Sequence, residues 1–312
     1  MKITPHKADC QRYNGVMKAV ITPEIAENLH QVGDRWTLLI LRDLFLGRNR
    51  FETLKAKTGA GRATLTRRLQ SLIAADIVGK SLYSAGRYEY LLTTKGRDLF
   101  PAAMLAWQWE IKHLPIIEGE LPPSLVHSDC GNPFEPIATC EACNQPLLRG
   151  SVALMPDTLS FDRQVLAAQS EKQRRKRQFS AGEDESMVRI ADLVGDRWSI
   201  LILVAMFFGL SKYDEFLGFL GIATNVLGQR LNQLVSARVV RKEPYQNNPV
   251  RYRYLLSERG EDLYGFIMAV WQWAKCWTPQ GEAANGLLHS CGEPLVVGVN
   301  CSACQKSLKL NV

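Results

Sequence analysis

One phrase, Val-Gly-Asp-Arg-Trp, is written twice in this chain, ending at Trp36 and again 162 positions later at Trp198. The match continues through Gly47 and Gly209, Leu65 and Leu227, Arg68-Leu69 and Arg230-Leu231, and Leu72 and Leu234. After a two-residue slip it resumes at Tyr90-Leu91-Leu92 against Tyr254-Leu255-Leu256, then Gly96 against Gly260 and Trp107-Gln108-Trp109 against Trp271-Gln272-Trp273. Any fold assigned to one half must therefore suit the other. Two copies fall short of a solenoid, which needs about three stacked repeats.

Each half has the pattern of three helices, a hairpin, a long helix and a Cys-rich tail. Asp34 and Asp196 stand where N-caps belong, and each apolar run behind them ends at Gly47 or Gly209, residues suited to a left-handed stop. A short second helix is expected next, capped at Asn49 with Glu52 three residues on; Ser211 and Asp214 take those parts in copy two. In the third helix Leu65, Leu69, Leu72 and Ile73 make one apolar stripe, repeated by Leu227, Leu231, Leu234 and Val235. Its outward face carries Arg62, Ala63, Thr66, Arg67 and Gln70 in copy one, and Thr224, Asn225, Gly228, Gln229 and Asn232 in copy two. Strand formers from Val78 to Tyr83 and from Arg87 to Thr93 flank the turn Ser84-Ala85-Gly86. The second hairpin has the longer tip 246–250. A long helix is expected to start near Thr93 or Ser257 and run through the Trp-Gln-Trp pair.

This order predicts a mainly α fold with small β-hairpins (α+β): two winged helix-turn-helix domains, each with a small Cys-rich, zinc-ribbon-like tail. The expected divisions are 1–150 for copy one with its tail, 151–185 for a polar, basic linker, and 186–312 for copy two with its tail. The linker holds the run Lys172-Gln173-Arg174-Arg175-Lys176-Arg177. The physics of the module is that two helices hold a third so that it protrudes, and a major groove about 12 Å wide admits one helix.

The phrase Gly33-Asp34-Arg35-Trp36, then Phe51-Glu52-Thr53-Leu54, Leu65-Thr66-Arg67-Arg68-Leu69, the hairpin ending Tyr88-Glu89-Tyr90-Leu91-Leu92-Thr93, and Gly96 together resemble the HxlR-type bacterial transcriptional regulators, relatives of the MarR class. The resemblance covers about 24–113 and 187–277. It implies sequence-specific binding of double-stranded DNA, usually by a dimer, and control of stress or catabolic genes. Such regulators often carry a redox-sensing cysteine one helix upstream of the tryptophan; Pro23 and Glu185 stand there instead, and Cys10 lies further upstream.

The expected DNA-binding residues are Arg62, Thr66 and Arg67 on the third helix of copy one, with Lys80 and Arg87 on its wing. In copy two they are Thr224, Asn225 and Gln229 on the helix and Arg251 on the wing, joined there by Arg241 and Arg253. Arginine reads guanine, while Asn and Gln read adenine; wing cations meet phosphate. Copy two has lost the helix cations, so an asymmetric reader is expected. Arg68 and Arg230 adjoin the apolar stripe and suit an internal ion pair.

Six of the eight cysteines fall in the tails. Tail one offers His127, Cys130, Cys140 and Cys143; tail two offers His289, Cys291, Cys301 and Cys304. Each Cys-x-x-Cys puts two thiolates on one turn, as tetrahedral zinc requires. The expectation is one structural zinc within each tail, with a redox pair as the alternative. Cys276, beside Trp273 and Trp277, suits a packed thiol.

A net charge of +7 and a sequence pI near 9.0 suit a polyanionic partner. No Walker glycine loop, Gly-x-Ser-x-Gly or His-Glu-x-x-His occurs, so no enzyme is expected. No apolar leader opens the chain and no apolar run is long enough to span a bilayer, so a cytoplasmic protein without a membrane partner is expected. The two copies are expected to pair within the chain as a pseudo-dimer, with a homodimer of chains and a small-molecule effector also open. The rival from another class is a protein-interaction scaffold stiffened by zinc tails, and thiol-redox or small-molecule sensing stands as the alternative input.

Overall fold

The structure is a computed structural model whose described residues are 23–113, 125–154, 187–278 and 287–310. Cys10, Glu185 and the Lys172–Arg177 run lie outside them. Copy one comprises α1 (Pro23–Val32), α2 (Arg35–Phe45), α3 (Phe51–Thr58), α4 (Arg62–Ala74), β1 (Val78–Ser84), β2 (Arg87–Leu92), α5 (Thr94–Arg97) and α6 (Phe100–His113). Its tail holds β3 (Leu125–Val126), β4 (Pro133–Phe134), β5 (Pro136–Cys140) and β6 (Val152–Leu154). Copy two repeats the plan as α7 (Val188–Val194), α8 (Arg197–Phe207), α9 (Tyr213–Leu220), α10 (Thr224–Ser236), β7 (Val240–Asn247), β8 (Val250–Leu256), α11 (Glu258–Glu261) and α12 (Tyr264–Cys276). Its tail supplies β9 (Leu287–His289) and β10 (Val297–Cys301). Both copies are winged helix-turn-helix modules, with α4 and α10 as third helices and β1–β2 and β7–β8 as wings.

The Gly-Asp-Arg-Trp phrase explains itself locally. Asp34 Oδ1 accepts from the backbone N–H groups of Trp36 and Thr37, and Asp196 does the same for Trp198 and Ser199. Each aspartate thereby satisfies donors that a helix start leaves unpaired. The helices end as the glycines suggest, with Gly47 and Gly209 at positive φ just beyond. Two details differ from the sequence expectation. Arg50, not Asn49, is the N-cap residue of α3 and makes no side-chain cap; Asn49 instead bonds Glu89 and Tyr90 of the wing. In copy two Glu215, not Asp214, takes the N–H groups of Ser211 and Lys212. The expected long helix is also divided, because Thr93 and Ser257 cap short turns that pack on the wing roots before α6 and α12 begin.

The two copies meet along the repeated phrase. The backbones of Asp34 and Asp196 form an antiparallel bridge, and Arg35 Nε reaches Asp192 Oδ1 at 2.8 Å. This approach needs glycine before each aspartate. A Cβ on Gly33 would lie 2.6 Å from Leu29 O and 3.1 Å from Arg197 N; one on Gly195 would lie 1.9 Å from Ala191 O and 2.9 Å from Arg35 N. The tryptophan pairs act across the same junction. Trp109 Nε1 donates to Arg259 O, and Trp273 Nε1 donates to Lys95 O, each at 2.8 Å. One apolar core runs through both copies, including Leu29, Ile40, Leu105, Leu201, Ile267 and Trp271. Among the described residues no helix is long and apolar enough to cross a membrane.

Glu110 on α6 is buried at this junction. Its Oε1 accepts from the Arg189 N–H at 3.3 Å, and Oε2 has no hydrogen-bond partner among the described residues. Burial pushes its carboxyl up to about 7. The protonated form is thus favoured in the folded chain, so its stabilisation is full below the ordinary carboxylate value and is lost as pH rises through about 7. Glu110→Gln is expected to remove that decline and to gain up to about 3 kcal/mol at alkaline pH. Thermal melts across about pH 5 to 8 check it: a variant tracking the parent at every pH would count against a buried, proton-holding carboxyl.

Candidate nucleic-acid interface and metal centres

The third helix of copy one divides its residues cleanly. Leu65, Leu69 and Leu72 are buried, whereas Arg62, Thr66 and Arg67 are exposed. Arg68 lies between these faces, and its Nη2 reaches Asp34 Oδ2 at 2.8 Å. Copy two repeats this, with Leu227, Leu231 and Leu234 buried, Thr224, Asn225 and Gln229 exposed, and Arg230 Nε 3.0 Å from Asp196 Oδ1. Arg68 and Arg230 are therefore the internal braces that their position suggested. One carboxylate both caps the helix beside the junction and anchors the third helix.

The exposed cations differ between copies. Arg62 pairs with Glu52 at 2.7 Å and lies over Phe51. Arg67 and Arg87 are exposed without an acidic partner among the described residues, and Lys80 lies over the Tyr88 ring. In copy two Arg241 and Arg253 both bind Glu243, while Arg251 lies 3.7 Å from Asp214. Sequence reasoning missed Arg50 and Lys212. They occupy equivalent repeat positions, and each stacks on a wing tyrosine, Tyr83 and Tyr245. A basic residue kept at the same place in both copies was the available signal. Gly228 meets only Tyr213 Oη at 3.7 Å, an ordinary contact, so sterics do not require glycine there.

All eight candidate metal ligands gather into two tetrads, but the grouping expected from sequence is corrected. One tetrad is His127, Cys130, Cys301 and Cys304; the other is Cys140, Cys143, His289 and Cys291. Each takes a turn from one tail and a Cys-x-x-Cys knuckle from the other. The cause is strand geometry. β5 and β10 pair antiparallel, with Cys140 opposite Val297 and Cys301 opposite Pro136. A tail's His-Cys turn lies before its own strand and its knuckle after it. Five extended residues separate strand ends by about 13 Å, beyond one ion's reach, whereas the partner strand brings the other knuckle alongside. In each tetrad the ligand atoms all lie within 4.8 Å of one another. A tetrahedral thiolate site with bonds of about 2.3 Å needs edges of about 3.8 Å, so a small contraction would suffice.

The chemistry of the donors also fits a cation. His127 Nδ1 lies 3.3 Å from Cys304 Sγ, and His289 Nδ1 lies 3.5 Å from Cys143 Sγ. The Asn132 N–H beside Cys130 lowers its thiol to about 7, and the Gln145 N–H lowers that of Cys143. Both changes favour the thiolate that binds metal, whereas burial raises the thiol of Cys140, and that of Cys304 is raised in spite of the Lys306 N–H beside it. The two tetrads could hold a metal ion each.

Comparison with known proteins agrees with this architecture. The HxlR-like helix-turn-helix family model matches residues 31–117 and again 193–282, more than half the chain. The chain belongs to the HxlR-like helix-turn-helix family. An uncharacterized HTH-type transcriptional regulator of Mycobacterium tuberculosis is 39% identical over 134 residues, covering 42% of this chain and 84% of that protein. The HTH-type transcriptional regulator YodB of Bacillus subtilis is 26% identical over 91 residues, covering 29% of this chain and 81% of that protein. A solved structure of a candidate transcription factor from Pseudomonas aeruginosa is 34% identical, covers 39% of this chain and 84% of its own, and has a TM-score of 0.32. HxlR-like proteins are transcriptional regulators and not enzymes, and DNA binding is implied for this chain. It carries the HxlR-like module twice, where each of these relatives matches less than half of it.

Exchange between tails predicts the outcome of paired substitutions. Cys130→Ser with Cys304→Ser strikes one tetrad and is expected to leave one metal ion per chain. Cys130→Ser with Cys143→Ser strikes both and is expected to leave none tightly bound. Metal analysis of the purified variants decides; the opposite pattern would return each site to a single tail.

Proposed function

We propose that this chain is a sequence-specific, DNA-binding transcriptional regulator in which one polypeptide supplies both reading heads. α4 and α10 enter major grooves, and the wings lie on the phosphate backbone. The observation that carries this is the opposite fate of two neighbouring arginines. Arg68 is tied inward to Asp34, while Arg67 projects into solvent from the middle of the outward face. A guanidinium held out on a braced helix suits bidentate contact with guanine. The copies pack on each other through Asp34 and Asp196, so an intrachain pseudo-dimer can address two half-sites about 34 Å apart. Differing helix faces favour an imperfect palindrome. DNA in the cytoplasm is the expected target.

The two heads contribute unequally. Among the described residues Arg67, Lys80 and Arg87 have no acidic partner, whereas the wing arginines of copy two are partly neutralised by Glu243 and Asp214. Copy one thus provides most of the electrostatic attraction, and copy two tunes specificity through Thr224, Asn225 and Gln229. Each tetrad holds a structural Zn²⁺: three thiolates and one imidazole fill four positions and leave none open for substrate.

Arg67→Ala is expected to weaken operator binding by about 1–3 kcal/mol and to relax preference at one base pair. Gln229→Ala is expected to cost less. Lys80→Ala and Arg87→Ala should each lower the log–log salt slope by about 0.9 without changing sequence preference. Operators come from selection among random duplexes, followed by titration at fixed salt. Equal losses at Arg67 and Gln229 contradict the asymmetry. A selection that returns no consensus points instead to a protein-interaction scaffold.

A further inference from the structure

We infer that the two metal centres fill as a coupled pair, each ion fastening one tail to the other; this rests on the assignment of zinc to the tetrads. The first centre joins the turn before β5 to the knuckle after β10. The second joins the turn before β10 to the knuckle after β5. Either ion therefore fixes the same two strands in the same register. Between the centres lies a ladder of five residue pairs, closed at its ends by Glu141 N–H to Val296 O at 2.8 Å and Ser302 N–H to Glu135 O at 3.1 Å.

Docking one tail on the other restricts both chains and opposes binding. The first ion bears that ordering cost, and the second meets a ligand set whose register already holds. Cys140, Cys301 and Val299 are buried in this pair, and Cys140 and Cys301 are themselves ligands, so strand packing and metal binding share atoms. Two centres each confined to one tail would share no such cost. The donor set of three thiolates and one imidazole selects a borderline-soft tetrahedral cation, Zn²⁺. Filling releases protons from the thiols to solvent and changes no oxidation state.

The consequence reaches the DNA-reading heads. β5 and β10 pack on α6 and α12, whose tryptophans lock the copies together. Gln272, between Trp271 and Trp273, accepts the Val297 N–H at the start of β10. Limited zinc therefore favours fully fastened and unfastened chains over the half-loaded form.

The test withdraws zinc stepwise from the full metal-loaded chain with a graded chelator under reducing conditions. Native mass spectrometry then counts chains with no, one or two ions. Equal, independent sites put about one half of the chains in the one-ion form at half saturation, and unequal independent sites put more. Tenfold coupling, within the usual 5–150-fold range, lowers that fraction to about one quarter. A one-ion fraction below one half is the expected result; one half or more overturns the coupling and leaves the zinc assignment standing. A chain purified without chelator that holds no zinc overturns both. Cys143→Ser adds a second readout: at tenfold coupling its intact centre should lose zinc at a chelator strength about threefold lower than the parent's midpoint. An unchanged strength would also overturn the coupling.

Discussion

Each repeated aspartate makes three connections at once, and the arrangement of the molecule depends on them. Asp34 caps α2, receives Arg68 from α4, and bridges to the backbone of Asp196. Asp196 does the same for α8 and Arg230. Nearly buried carboxylates of this kind are costly unless their oxygens are met by donors, and here backbone N–H groups and a guanidinium meet them. The angle of each third helix is therefore fixed relative to the junction between copies. Replacing one partner alone would leave a buried charge exposed to its full desolvation cost, which for such pairs runs to about 3–5 kcal/mol.

Much of this could be read from the chain before folding was considered. The aspartate caps, the glycine stops, the leucine stripes and the inward position of Arg68 and Arg230 follow from local periodicity, whereas the partners of those two arginines, Asp34 and Asp196, lie 34 residues away. The tail pairing did not follow. Nine residues separate Cys130 from Cys140, and nine separate Cys291 from Cys301, so nearness along the chain favoured a site within each tail. What decides the matter is that four of the nine intervening residues, and the cysteine that follows them, are extended and pair with the other tail. The alternation Pro136-Ile137-Ala138-Thr139-Cys140 was too short to announce a strand. The Asn49 cap failed for a similar reason: a wing residue distant in sequence, Glu89, competes for its side chain.

Duplication within one polypeptide changes what each copy must do. In a dimer of identical chains, both reading helices carry the same face and both wings the same charge. Here the copies have diverged where they face solvent and remained alike where they meet. The glycines, aspartates and Trp-Gln-Trp residues at the junction repeat, while Arg62, Thr66 and Arg67 correspond to Thr224, Gly228 and Gln229. This is the pattern expected when packing constrains both copies equally and only the outward faces are free to specialise. On the proposed reading, linking makes the second contact intramolecular, so a weaker head would need little affinity of its own to influence which operator is held.

The same logic explains the exchanged tails. A metal centre built within one copy would stabilise that copy and leave the junction to helix packing alone. Taking the turn from one tail and the knuckle from the other makes metal binding depend on both copies being folded and correctly paired. With ions bound, the junction would be fastened at two places: by Asp34, Asp196 and Arg35, and by the tetrads on either side of the β5–β10 ladder. Two separated attachments resist a rocking motion that one could not, and rocking is the motion that would alter the spacing between α4 and α10. On the proposed reading, a rigid spacing suits a protein that must match a fixed helical repeat, and ions in the tails would serve the groove-reading role proposed for the helices.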